Sequence, residues 1–147
     1  DNYPDMVKVP LSGKASHAYL LLVGSTNHMQ CRIANGIVRV YYTDGTSEVL
    51  ELVNPDNWCP IEQDFYLDDF AFDAPRPRPY RFHSKTGIVS RDLGKALKLR
   101  GSADRRFEGG AGVMLDIPLD KNKTLKELTL ETVANDVVIG LMSVTLQ

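Results

Sequence analysis

The residues best suited to chemistry lie between Trp58 and Arg81. This stretch holds five carboxylates within twelve residues, interleaved with aromatic side chains: Glu62, Asp64, Asp68, Asp69 and Asp73, with Phe65, Tyr66, Phe70 and Phe72 among them. Three interpretations are open: an acid and base pair of a glycosidase, oxygen ligands for Ca²⁺, or a solvated loop whose rings pack inward. The sequence lacks a regular calcium loop with its glycine and terminal glutamate. We therefore favour the solvated loop and expect no cofactor, with Ca²⁺ as the alternative.

Trp58 is the only tryptophan of the chain and lies in a turn-rich segment. Its indole could serve as a stacking platform for a sugar ring, whose C–H faces are apolar. The alternative is that it plugs one end of a hydrophobic core, since few side chains bury as much area. If a sugar does bind, the candidate carbohydrate-binding residues are Trp58, Gln63, Asp64, Tyr66 and Arg76.

Three arginines follow the acidic segment, at positions 76, 78 and 81, and prolines at 75, 77 and 79 alternate with them. Guanidinium groups could form paired hydrogen bonds with an acidic sugar or with carboxylates of a neighbouring domain. Closely spaced prolines instead stiffen an extended strap. We favour the strap or the domain contact.

The histidines and cysteines form no recognisable catalytic or metal motif. His17, His28 and His83 are dispersed, and no serine or cysteine nucleophile motif or phosphate-binding glycine loop accompanies them. Cys31 and Cys59 are too few for a sulfur-based zinc site. We expect two buried thiols, and one disulfide is the alternative in an oxidising compartment.

Composition limits the class of partner. The chain has 147 residues, with 17 basic and 19 acidic side chains and a formal charge of −2. It provides no basic field for nucleic acid, and no apolar run approaches the roughly 18 to 20 residues of a membrane-spanning helix. The length suits one domain over residues 1–147. Because the sequence opens at Asp1, we expect this domain to be a piece of a larger protein.

Short strands separated by turns dominate the pattern. The apolar run at 18–23 predicts a strand buried on both faces. Residues 36–42 and 47–53 alternate around Asp44-Gly45, which predicts a hairpin. A three-residue loop with Gly45 in the left-handed conformation pairs Tyr42 with Thr46 and Val38 with Leu50. A two-residue loop would shift the pairing by one residue.

The C-terminal third continues this pattern. Residues 113–119 and 128–132 alternate, and the nearly continuous apolar run at 137–146 predicts a central strand. With no amphipathic helix of ten residues, we predict an all-β fold: a two-sheet antiparallel β-sandwich of jelly-roll type. The inward side chains should be Leu20, Leu22, Val38, Val40, Leu50, Leu52, Val113, Leu115, Ile117, Leu128, Leu130, Ile139 and Leu141.

Several segments together resemble a known kind of domain. They are the runs at 18–24, 40–46, 52–55, 57–61, 125–130 and 138–141. This pattern is similar to the accessory β-sandwich domains attached to six-hairpin, (α/α)-barrel glycosidase-like proteins of bacteria, and more loosely to galactose-binding-like jelly rolls. The resemblance implies a secreted or periplasmic setting, with the catalytic carboxylates on a separate helical barrel.

We therefore expect a noncatalytic accessory module that packs against a neighbouring catalytic domain of the same chain. The first alternative is a carbohydrate-binding module that uses Trp58 and the acidic-aromatic loop to hold an oligosaccharide. The second is a self-contained glycoside hydrolase using the loop carboxylates. The isolated domain should hydrolyse no glycoside, and any affinity for oligosaccharide should be weak and depend on Trp58. A large exposed apolar patch would favour the accessory module.

Overall fold

The computed structural model describes residues 4–26, 30–64, 78–99 and 106–147, and these form two antiparallel β-sheets. The strands in chain order are β1 Met6–Pro10, β2 His17–Ser25, β3 Ala34–Tyr42, β4 Ser47–Val53, β5 Tyr80–His83, β6 Val89–Ser90, β7 Ala111–Pro118, β8 Leu125–Thr132 and β9 Val138–Leu146. One short helix, α1, spans Leu93–Ala96 and is capped by the Asp92 side chain, which accepts a hydrogen bond from the Lys95 backbone N–H.

The sheets contain four and five strands, in the orders β1-β8-β3-β4 and β6-β5-β7-β2-β9. β1 pairs with β8 in one sheet, and β2 pairs with β7 in the other. The β2–β7 pair thus lies between β1 and β8 in the sequence, and the two pairs belong to opposite sheets. This arrangement is that of a jelly roll. The all-β sandwich prediction is confirmed.

The β3–β4 hairpin has the predicted register. Val38 pairs with Leu50, the Tyr42 N–H donates to the Thr46 carbonyl at 2.9 Å, and Gly45 has a φ of +89°. The Asp44 side chain accepts hydrogen bonds from both the N–H and the hydroxyl of Thr46. The three-residue loop is thus correct.

Gly45→Val should lower the free energy of unfolding by about 1 to 3 kcal/mol, because a β-branched residue strains at positive φ. A Cβ atom at this position would meet no atom within 4 Å, so the cost is one of backbone conformation alone. Gly45→Asn is the matched control, since asparagine tolerates the left-handed region. Equal thermal stability of the valine variant and the parent would contradict the turn assignment.

The core lies between the two sheets. Ten of the thirteen predicted inward residues are buried, and the other three, Leu50, Ile139 and Leu141, are half-buried and pack against that core. In β7, burial alternates as predicted, with Met114, Asp116 and Pro118 exposed. A smaller cluster of Leu93, Phe107 and Ala111 lies beside α1.

Two strand predictions are wrong. β2 is not buried on both faces, since Tyr19, Leu21 and Val23 are only half-buried on the outer side of the five-stranded sheet. β9 is not central, because it lies at the edge of that sheet with only β2 beside it among the described strands. A continuous apolar run does not distinguish a strand covered on both faces from one whose outer face is half exposed.

No helix in the described part of the chain is long and apolar enough to cross a membrane.

Candidate functional site

Trp58 lies in the core rather than at the surface. Its side chain is 0% exposed, and its Nε1 donates a hydrogen bond to Asn35 Oδ1 at 3.0 Å. Asn35 is itself held because its Nδ2 donates to the carbonyls of Gln30 and Ile33. A Cβ atom on Gly24 would collide with the Val138 carbonyl oxygen and lie 2.9 Å from the indole, so the glycine makes room for both. A ring without exposed surface offers a sugar no face for stacking. Of the two interpretations, Trp58 therefore fits the one in which it fills part of the core.

The segment before Trp58 is fixed by side-chain to backbone hydrogen bonds. Asn57 Oδ1 accepts from the Val53 N–H at 2.8 Å, and Asn57 Nδ2 donates to the Glu51 carbonyl at 2.7 Å. These bonds turn the chain directly after β4. The turn then directs Trp58 back into the sandwich.

The other candidate sugar-binding residues are buried or lie outside the described residues. Gln63 is 8% exposed and Asp64 is 2% exposed, so neither presents a polar group on an open surface. Gln63 Oε1 accepts a long hydrogen bond, 3.5 Å, from Asn54 Nδ2. Tyr66 and Arg76 fall in the segment 65–77, outside the described residues. The described candidates therefore form no exposed site.

Two of the five acidic residues lie in the described part of the chain. Glu62 is exposed and Asp64 is buried, whereas Asp68, Asp69 and Asp73 lie outside the described residues. Within the described ranges, no group of three or more His, Cys, Asp or Glu side chains could hold a metal ion.

Arg81 is a buried residue that links several segments by hydrogen bonds, a role that was not predicted from the sequence. Its guanidinium is fully buried and donates hydrogen bonds to four backbone carbonyls, those of Pro60, Gln63, Ala111 and Gly112, at 2.7 to 3.2 Å. It also lies over the Phe107 ring, 5.1 Å from the ring centre. Arg81 thereby joins the segment after Trp58 to β5 and β7. It is a structural residue rather than a surface ligand for an acidic sugar.

Cys59 is held in the same buried cluster. Arg81 Nη1 lies 2.7 Å from its Sγ, and Sγ lies 3.6 Å from the Gln63 carbonyl. Burial raises the pKa of the Cys59 thiol to about 11, although the nearby Arg81 charge partly opposes this. A protonated, buried thiol is a poor nucleophile. Both cysteines are free thiols, but the prediction that both are buried is correct only for Cys59, since Cys31 is half-buried.

The raised pKa of Cys59 predicts a loss of stability in alkali. The ordinary thiol pKa is 9.0, so the unfolded chain releases this proton before the folded chain does as the pH rises. The contribution of the Cys59 thiol to the free energy of unfolding is complete below pH 9. It falls by on the order of 2 kcal/mol as the pH approaches 11. Urea unfolding at pH 8 and pH 10.5 should show this loss in the parent and less of it in Cys59→Ala. Identical losses in the two proteins would contradict the prediction.

The two described histidines, His17 and His83, each contact polar neighbours. His17 Nδ1 lies 2.8 Å from an Asp116 carboxylate oxygen at a half-exposed position. His83 is buried, with its two ring nitrogens 2.8 Å from Thr86 Oγ1 and from the Glu108 carbonyl. These contacts hold the two imidazole rings in place.

The outer face of the five-stranded sheet carries an apolar groove. It has a volume of about 310 Å³ and is lined by apolar groups apart from Ser84. Leu21 and Val23 of β2 form one wall, Phe82 of β5 forms the other, and Met142 of β9 closes one side. We call these four side chains and the Gly112 floor the outer groove.

Gly112 creates the outer groove. β7 runs between β2 and β5, and at Gly112, which pairs with Phe82, the strand carries no side chain. A Cβ atom there would lie 3.0 Å from Leu21 Cδ1 and 3.1 Å from the Leu22 carbonyl oxygen. The groove therefore follows from a glycine placed opposite large apolar side chains.

Apolar side chains continue beyond the outer groove. Tyr80 is 45% exposed and Met114 38%, and Met142 of the groove itself is 63% exposed. Met114 pairs with both Leu21 and Tyr80, so these three side chains form a row across the outer face. The sequence indicated an apolar outer face, because both sets of alternating positions in β2 are apolar. A strand buried on both faces gives the same pattern, however.

No protein-family model matches the sequence, and no curated protein or solved structure matches it.

Proposed function

We propose that this chain is a noncatalytic accessory module that packs against a neighbouring domain through the outer face of its five-stranded sheet. The observation that carries the proposal is the outer groove, which includes the exposed Met142, with the exposed Met114 and Tyr80 beside it. Contiguous apolar surface on a soluble protein marks a contact surface, because burying such area is favourable by about 25 cal/mol per Å².

The sequence resemblance supplies the context of this proposal. It suggests that the neighbouring domain is a glycosidase-like (α/α)-barrel of the same chain, in a secreted or periplasmic protein of carbohydrate metabolism. The buried position of Trp58 supports the accessory module over a carbohydrate-binding module, since the only indole has no exposed face. The domain would then stabilise or orient its catalytic neighbour.

The noncatalytic half of the proposal is tested with the purified chain. We expect no turnover of a panel of chromogenic glycosides, and calorimetric titration with plant and host oligosaccharides should give no measurable heat of specific binding. Turnover that is abolished by Glu62→Gln or Asp64→Asn would contradict the proposal. Tight oligosaccharide binding would also contradict it and would favour the carbohydrate-binding module.

A further inference from the structure

The free edge of β9 leads to an inference that goes beyond the proposed function. We propose that this edge is a self-association site at which two copies of the chain pair their β9 strands antiparallel about a twofold axis. The two five-stranded sheets then become one continuous sheet.

The backbone of β9 presents hydrogen-bonding groups away from β2. His17 and Gln147 exchange both of their backbone hydrogen bonds, each at 3.0 Å. Hydrogen-bonded and non-hydrogen-bonded pairs alternate along an antiparallel ladder. Leu146 lies opposite Ala18 and Val144 lies opposite Leu20, so both belong to non-hydrogen-bonded pairs. Their N–H and C=O groups therefore point outward, where the described part of the chain places no further strand.

The other three edges carry features that discourage strand pairing. β1 contains Lys8 and ends at Pro10, β4 carries Glu48 and Glu51, and β6 is only two residues long. Charged residues, prolines and short length are the means by which sheet proteins prevent edge-to-edge association. Three edges of this sandwich are thus protected.

β9 lacks that protection. It is nine residues long and contains neither a charged residue nor a proline. Its one irregularity is the register shift opposite Leu21 and Leu22, where Met142 is the extra residue. A bulge can also protect an edge, but residues 143–146 pair regularly with β2 beyond it. This regular run is available to a second strand.

A second copy of the chain suits this edge because of its charge pattern. In a twofold antiparallel pair each strand faces itself, so a charged strand would place like charges opposite each other. β4, with two glutamates, would meet this repulsion, whereas β9 would not. Twofold pairing of β9 would also place the two outer faces side by side on one continuous sheet.

The test is the solution mass of the intact chain and of two matched variants. Sedimentation velocity should show twice the mass of one chain at high concentration and dissociation on dilution. Met142→Lys/Thr145→Lys changes exposed positions on β9 and should remain at the mass of one chain. The control Ser47→Lys/Val49→Lys adds the same charge at exposed positions on β4 and should associate like the parent.

Amide hydrogen exchange locates the contact within β9. The amides of Val144 and Leu146 should exchange about tenfold or more slowly in concentrated than in dilute solution, because pairing buries them. The Thr145 amide, which the same alternation directs toward β2, serves as the internal reference and should not depend on concentration. A single-chain mass at every concentration would overturn the proposal. A dimer that persists in the β9 lysine variant, or Val144 and Leu146 amides that exchange fast within a dimer, would also overturn it.

Discussion

Arg81→Met should lower the free energy of unfolding by about 3 to 5 kcal/mol. The substitution removes a fully buried guanidinium and leaves the carbonyls of Pro60, Gln63, Ala111 and Gly112 without this donor. A buried acceptor that loses its partner costs about 1 to 3 kcal/mol, and the terms do not add fully because the loop relaxes. Methionine retains much of the volume, so the loss reports hydrogen bonding rather than a cavity.

Two further variants at arginine positions make this measurement specific. Arg81→Lys keeps the charge but cannot reproduce the planar fork, so it should be destabilised to an intermediate extent. Arg91→Met removes an exposed arginine that stacks on Tyr80, 4.6 Å from the ring centre, and should cost less than about 1 kcal/mol. Urea unfolding of all three variants provides the comparison. Equal stability of Arg81→Met and Arg91→Met would show that the buried hydrogen bonds of Arg81 do not stabilise the fold.

Trp58→Ala should be as damaging, with a loss of about 3 to 5 kcal/mol, because it leaves a large cavity between the sheets. Trp58→Phe fills most of that space but leaves Asn35 Oδ1 without its donor, so we expect a smaller loss of about 1 to 3 kcal/mol. Chemical unfolding of both variants against the parent gives these values.

Fluorescence provides an independent check on Trp58, because it is the only tryptophan. Emission should shift to longer wavelength on unfolding, and iodide should quench it only in the unfolded chain. Oligosaccharides should leave it unchanged. Strong iodide quenching of the folded protein, or a spectral change on adding a sugar, would contradict the buried position.

The sandwich and its hairpin were predictable because they depend on local signals. Alternation predicted the inward faces of β3 and β7, and the favoured three-residue loop at Asp44-Gly45 predicted the register of the β3–β4 hairpin, with a two-residue loop as the alternative. The edge position of β9 was not predictable, because an uncharged apolar strand has the same sequence pattern whether or not a second strand pairs with its free side. Sheet order depends on long-range pairing, which a single sequence does not encode locally.

The buried cluster around Arg81 was missed for a different reason. In β5 the inward positions are Arg81 and His83, whereas the outward ones are Tyr80 and Phe82. This inverts the usual pattern of apolar residues inside. The partners of Arg81 are mainly backbone carbonyls. Every residue has one, so the sequence gives no sign of which of them accept these hydrogen bonds. From the sequence, Arg81 was instead grouped with Arg76 and Arg78 as part of a strap or a domain contact.

Trp58 shows where residue type alone left a choice. An indole near carboxylates and arginines suits a sugar site, but it suits the end of a core equally well. The decisive partners are Asn35, which accepts its N–H, and Gly24, which leaves room for its ring. Both are distant from Trp58 in sequence, so only the fold brings them together.

Photocrosslinking from the outer groove tests the central claim, that this sheet face packs against a neighbouring domain. Benzoylphenylalanine is introduced in place of Leu21 and, as a control on the other sheet, in place of the exposed Val49, within the full protein in its own host. Mass spectrometry then identifies the attached peptides. We predict that position 21, and not position 49, crosslinks to a glycosidase-like catalytic domain. Crosslinks from position 21 only to oligosaccharide or to a second copy of this chain, or none at all, would contradict the account.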